Sequence, residues 1–396
     1  MGGPSVLHVT SLDQLRGAGA RWDDLWQRSD VTLPNARAEL IAHWIEQFAP
    51  VHEFQALAVE EGGHWVAALP LVGSRVAGVL RAGTLPVNPW AYGGGLLLDC
   101  SADRAAVLEA LVRAMRDLPW HVMWLDEVPL DSPQWALFRK ALARNGTPSS
   151  WHARYDVGLI ELCGAWEPYW RSLSSHHRQN IGNAGRRLAR RGEVRFDLET
   201  NPSREQVETL LYSGFEVEDR SWKGRTGSSV FRRRMFPFYL RQARQLAEWG
   251  HLALAFLRFS GRPIAFCYGM IAKGVFHYCK IGYDPDFASY SPGQLLLNDL
   301  LQRLREDPIC RAVDTLGEVT DATARWKPSI YRVGQIVLPS RRLLGRMAVY
   351  GHKHLWPHVR RFRSRFGARR GLNGHTHDPT PDALSAEAAR PPETPT

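Results

Sequence analysis

The sequence predicts an α/β protein of two similar domains in tandem, each a mixed sheet flanked by helices, followed by a basic helical segment. Three observations lead there. The 396 residues suffice for two ordinary domains. Strands, a helix and a further strand recur in the same order at an offset of about 190 residues, the mark of a duplication. Residues 341–370 hold ten Arg or Lys and no acid, which accounts for the whole net charge of +10 and leaves a neutral body.

The second half carries the clearer pattern. Residues 252–259 read as a strand, Ser260-Gly261 as a hairpin turn, and 263–271 as the returning strand. Lys273-Gly274 turns into a third strand, 275–283, which Asp284-Pro285 ends. A helix over about 292–306 and a strand at 311–316 follow. The first half repeats the order with strands at 54–60 and 64–72 around Gly62-Gly63, a Gly- and Pro-rich stretch and a strand at 95–99. A helix over about 102–117 and a strand at 121–126 complete it. Between the halves, 175–191 forms an arginine-rich helix with Ile181, Ala184 and Leu188 on one face. A second connector helix starts at the capping box Ser203 to Gln206 and runs to about 220. The expected domains are 1–160 and 161–340, then a basic amphipathic helical segment, 341–368, broken near Pro357, and a disordered tail, 369–396.

Composition excludes several classes. No basic stretch followed by an apolar run opens the chain, and no run of about 18 apolar residues exists. Five cysteines without a C-x-x-C pair fit free thiols in a reducing cytoplasm. The spacing of His352, His354 and His358 makes no recognisable metal site, and no metal is expected.

Candidate chemistry gathers in the second half. Ser291, Pro292 and Gln294 read as a capped helix start whose amides can hold an anion, with Gly293 and Tyr290 beside it. Glu218 at the end of the connector helix is the candidate base, with Trp222 one turn on and Lys223 as an anion contact. On strand 275–283, alternation points His277 and Cys279 one way and Tyr278 and Lys280 the other. His277 is the second candidate base, and Lys280, costly in mid-strand unless paired or at a site, is the third catalytic candidate, with Asp314 as a potential partner. Only six of 50 basic residues are lysine, which makes Lys223, Lys280 and Lys327 more telling than the arginines.

The segments Ser221 to Gly227, Gly261 to Ala265, Ile281 to Asp284 and Tyr290 to Gly293, with Asp314, Gly317 and Trp326-Lys327 after them, form an ordered set. Together they resemble the CelD/BcsL-like GNAT acetyltransferases of cellulose and exopolysaccharide biosynthesis, over roughly residues 20–340. That family is similar in fold to the FemAB transferases, which are double GNAT proteins. The resemblance implies tandem GNAT-like domains and transfer of an acyl group, with acyl-CoA as co-substrate, to an amine or hydroxyl of a small molecule or saccharide precursor. It adds Tyr283, Asp284 and Lys327 to the binding residues. One departure stands out. The usual pyrophosphate loop, [RQ]-x-x-G-x-[GA], is replaced by Ser289 to Gln294, which has one glycine and a proline without an N–H. The competing readings are a Fem-like transferase using aminoacyl-tRNA and a non-catalytic component at the membrane surface. The basic segment 341–366 is expected to meet an anionic membrane or an acidic partner.

Overall fold

The computed structural model describes residues 3–49, 53–76, 78, 80–200, 202–341 and 343–354. Its strands, in chain order, are β1 (Ser5–Val9), β2 (Phe54–Glu61), β3 (His64–Val76), β4 (Leu80–Thr84), β5 (Leu97–Leu98), β6 (Val122–Pro129), β7 (Ser150–Glu161), β8 (Val194–Thr200), β9 (Leu252–Phe259), β10 (Arg262–Ala272), β11 (Val275–Tyr283), β12 (Ala312–Glu318) and β13 (Ser329–Pro339). The chain separates into two compact units. One comprises Met1–Val31, Asn35–Arg154 and Arg332–Thr396; the other comprises Thr32–Pro34 and Tyr155–Tyr331.

Each unit has the same strand order. In the first, β1, β2, β3 and β4 are antiparallel neighbours, β4 runs parallel to β6, and β6 is antiparallel to β13. In the second, β8, β9, β10 and β11 are antiparallel neighbours, β11 runs parallel to β12, and β12 is antiparallel to β7. The helix before the parallel strand is Arg104–Met115 in one copy and Pro292–Arg305 in the other. The duplication read from the sequence therefore has a matching topology in both copies. The last strand of each copy is exchanged in sequence: β13 closes the first sheet and β7 the second. The expected boundaries are 160 and 340; the units change over between Arg154 and Tyr155 and between Tyr331 and Arg332.

The strand expected at 95–99 shrinks to two residues, β5, which pair with β3. Its place next to the parallel strand is taken by β4, hidden in the Gly- and Pro-rich stretch. In the second unit, Leu252 to Leu257 are all buried, as a continuous apolar run covered on both faces requires. Helices Ser175–Ala189 and Pro292–Arg305 share one core with Ala265 and Cys267 of β10. Helix Arg204–Arg220 packs on the other face, where Phe215 meets Phe266 and Tyr268. The Ser203–Gln206 capping box that starts this helix is formed.

All five cysteines are free. Among the described residues, no helix is long and apolar enough to cross a membrane. Of the C-terminal segment, the helix Leu343–His354 is described; residues 355–368 and the tail 369–396 lie outside the described residues.

Candidate active site

Glu218, Asp219 and Arg220 close the helix Arg204–Arg220 and hold the loop after it. Ser221 ends the helix and caps the short helix Trp222–Arg225. Glu218 is 2% exposed and both its oxygens are engaged: Lys223 Nζ reaches Oε1 at 3.1 Å and the Val230 amide reaches Oε2 at 2.9 Å. Lys223 Nζ also donates to the Ile281 carbonyl at 2.8 Å. Gly282 lets the strand run against this helix, since a Cβ there would stand 2.6 Å from the Glu218 Cα. Arg220 and Arg262 together hold Asp284, itself 1% exposed. Glu218, Lys223 and Asp284 thus tie the loop and the end of β11 together. Trp222 beside them is half exposed.

Glu218→Gln puts an amide donor against either the Lys223 ammonium or the Val230 N–H. Breaking a buried pair in this way costs about 3 kcal/mol, a fall in melting temperature of about 5–10 °C. Thermal unfolding checks it; an unchanged melting temperature would mean that the pair is not structural.

β11 is not regular. Tyr268 pairs with Lys280 and Gly269 with Tyr278, so Cys279 is the extra residue of a β-bulge. The bulge corrects the expected alternation. His277 pairs with Met270 and Lys280 with Tyr268, so His277 and Lys280 share the face of Tyr268 instead of pointing apart. Lys280 lies 5.9 Å from the centre of the Tyr239 ring, and Tyr268 donates to Gln242 at 2.8 Å. Burial, helped by Lys223, pushes Lys280 down to about 8, against the pull of Glu218. Burial pushes His277 down to about 4, and neither ring nitrogen has a well-formed hydrogen bond, although the Thr32 backbone lies close enough to oppose the shift weakly.

β11 and β12 pair only as far as His277 with Asp314, and then part. Asp314 stands where the gap opens, on the same face as His277. Both its oxygens accept from the Tyr331 hydroxyl at 3.0 Å, and one accepts from the Leu316 amide at 2.9 Å. Lys280 is not its partner, contrary to expectation. Burial pushes Asp314 up to about 6 despite these hydrogen bonds.

The opposite face of the sheet carries a cavity of about 410 Å³ between helix Ser175–Ala189 and the start of helix Pro292–Arg305. Arg186, Arg187, Arg190 and Arg325 line it, with Ser289, Ser291 and Gln294. His177, 3% exposed, also lines it, and its Nε2 has no hydrogen-bond partner. Burial, then Arg325 and His176, push that ring below its ordinary value, which favours the neutral form. The expected capping box at Ser291 is absent. Ser291 adopts the left-handed conformation (φ 49°) and makes no side-chain cap, and Gln294 accepts from Trp326 Nε1 at 2.9 Å instead. The Gln294 amide bonds back to the Ser291 carbonyl, so few backbone donors remain for an anion. The arginine side chains supply what the loop lacks.

Around this cavity, Tyr290 sits under Arg187 and Arg191 and accepts from Arg191 at 3.0 Å. Tyr283 is in reach of Gly293, whose added Cβ would be 3.8 Å from its ring. Lys327 turns away and donates to the Ser172 carbonyl. The candidate residues therefore do not line one cleft. Glu218, Lys223, His277 and Lys280 lie on one face of the sheet; Ser291, Gly293 and Gln294 lie on the other. They approach only at the end of β11. Sequence reasoning missed His177, the four cavity arginines as a set, and Asp314 as more than a partner for Lys280. In the first copy, Asp103 caps the equivalent helix with its carboxylate on the Ala105 amide.

Residues 175–327 match the family model described as an acetyltransferase (GNAT) domain. Among solved structures, FemX aligns with a TM-score of 0.57 at 12% identity, over 87% of this chain and 99% of its own. A conserved protein of unknown function from Bacteroides thetaiotaomicron aligns at 0.53 and 13%, over 85% and 100%. The C-terminal domain (DUF2156) of a protein assigned as a lysylphosphatidylglycerol synthetase from Agrobacterium fabrum aligns at 0.50 and 14%, over 85% and 96%. No curated protein matches the sequence. These likenesses show the fold, two GNAT-like units in tandem, and the family model falls within the second of them. The narrower CelD/BcsL-like resemblance rests on the sequence motifs alone.

Proposed function

We propose that this transferase takes an acyl group from an acyl-CoA and passes it to an amine or hydroxyl of a small molecule or saccharide precursor. The observation that carries the reading is the arginine-lined cavity at the start of helix Pro292–Arg305. Guanidinium groups suit phosphate by charge and by their forked donors. With the donor's phosphates there, its thioester reaches the gap where β11 and β12 part. Beyond His277, β11 has β10 on one side and the gap on the other, so alternate backbone amides face the reacting carbonyl and can stabilise its developing charge.

The acceptor enters from the opposite face. Asp314, held near 6, is better matched to a proton at neutral pH than His277, held near 4. Glu218 positions Lys223 and the loop in this reading. As the acceptor attacks and Asp314 takes its proton, the carbon–sulfur bond breaks with its electron pair on sulfur; CoA leaves as the thiolate, and the proton from Asp314 passes through solvent to give the thiol.

A second reading, aminoacyl transfer from tRNA, is favoured by one observation. Helix Ser175–Ala189 and the residues after it carry Arg178, Arg186, Arg187, Arg190 and Arg191, more cations than one pyrophosphate needs. Acyl-CoA thioesters and aminoacyl-tRNA, offered separately at two salt concentrations, decide between them. Turnover of the thioester with shallow salt dependence is expected. Turnover of aminoacyl-tRNA alone, with affinity falling steeply as salt rises, would replace the first reading by the second.

A further inference from the structure

The helix Leu343–His354 is apolar on both sides, which a helix on a protein surface normally is not. Its inner side is fixed. Gly345, Val349 and His352 are buried, at the i, i+4, i+7 spacing of one face. Val349 packs with Ala82, Val122 and Val337. Gly345 brings the helix backbone against the His121 carbonyl, where a Cβ would collide. His352 is held at both ring nitrogens, Nδ1 to Ser150 Oγ at 3.0 Å and Nε2 to Gln335 Oε1 at 2.8 Å, and its ring lies edge-on to Trp124. Gln335 in turn donates to Asp126, which is paired with Arg154. With both nitrogens used, the helix cannot roll without breaking a buried polar network.

Its outer side is therefore presented by design. Leu343, Leu344, Met347 and Tyr350 are 73%, 55%, 63% and 67% exposed, along one stripe of the helix. Exposed Arg346 and Lys353 flank them, and Arg341 precedes them, paired with Asp117. The sequence from 341 to 370 holds ten basic residues and no acid, and continues past the helix with Trp356, Val359 and Phe362 among the arginines.

We propose that this stripe lies on the surface of an anionic phospholipid bilayer, with the apolar side chains in the headgroup–acyl boundary and the basic residues on the lipid phosphates. Charge complementarity selects the occupant. A convex stripe of flexible Leu and Met side chains with arginine on its borders matches an interfacial helix, and supplies both signals, apolar area and positive charge, that stable surface binding needs.

Co-sedimentation of the full chain with phosphatidylcholine vesicles, and with vesicles in which about a third of the lipid is phosphatidylglycerol, tests this at physiological salt. Binding to the anionic vesicles at least about ten-fold tighter than to the neutral ones is expected. The double variant Leu343→Glu/Met347→Glu should lose it without a change in melting temperature, because both positions are exposed. Arg346→Ala/Lys353→Ala should weaken it and flatten its salt dependence. Equal binding to both vesicles, no binding to either, or undiminished binding of the Leu343→Glu/Met347→Glu protein would overturn the proposal. The last result would leave the basic charge as a handle for an acidic protein partner.

Discussion

Asp314→Asn is expected to lower kcat by roughly 10²–10⁴-fold, the usual worth of a general base, with little change in the donor's KM. The same residue should set the acid limb of the wild-type profile. An Asp near 6 is mostly protonated below that pH, so kcat/KM rises through about 6 and then levels. Tyr331→Phe removes a hydroxyl that favours the carboxylate and should move the limb to higher pH. The stability effect has the opposite sign. The folded state holds the Asp314 proton up to about 6 while the unfolded chain releases it near 3.8. Folding therefore binds a proton in that window, and this residue's contribution to stability falls as pH rises through it and is constant above. The Asn variant should lack that slope. Full activity in Asp314→Asn, or an acid limb that persists unchanged, would remove Asp314 from the mechanism.

Arg186→Ala/Arg190→Ala is expected to raise the donor's KM by about 10- to 100-fold, at about 1.5–3 kcal/mol for the charge-assisted hydrogen bonds lost, and to leave kcat nearly unchanged. Both side chains line the cavity beside the start of helix Pro292–Arg305. Raising salt should weaken wild-type donor binding more than binding to the variant. A fall in kcat with an unaltered KM would place these arginines in folding or in the chemical step.

The strand meander of the second half was legible because its turns are local. Ser260-Gly261 and Lys273-Gly274 all take positive φ, as two-residue hairpin turns of this kind demand. The exchanged strands β7 and β13 were not legible. Each closes a sheet by pairing with a strand distant in sequence, and no local period records such a partner. β4 was lost among glycines and prolines, since a short strand there has too little alternation to show. The candidate site was misjudged for three separate reasons. Strict alternation along 275–283 ignored the bulge at Cys279, which moves Lys280 to the other face. Ser291, Pro292 and Gln294 have the residue types of a capping box, but the left-handed Ser291 puts its hydroxyl elsewhere. The arginines of the cavity were discounted because arginine dominates the whole chain, with six lysines among its 50 basic residues. Their spacing at 186, 187 and 190, one turn of a helix that faces another helix's start, was the signal that remained.

Calorimetric titration of acetyl-CoA into the wild-type chain and into Arg186→Ala/Arg190→Ala tests most directly whether the cavity holds the donor's phosphates. The expected result is one site per chain in the wild type, with affinity at least about ten-fold weaker in the variant and both proteins equally stable to heat. Equal affinity in the two proteins, or no binding by the wild type at millimolar acetyl-CoA, would contradict it.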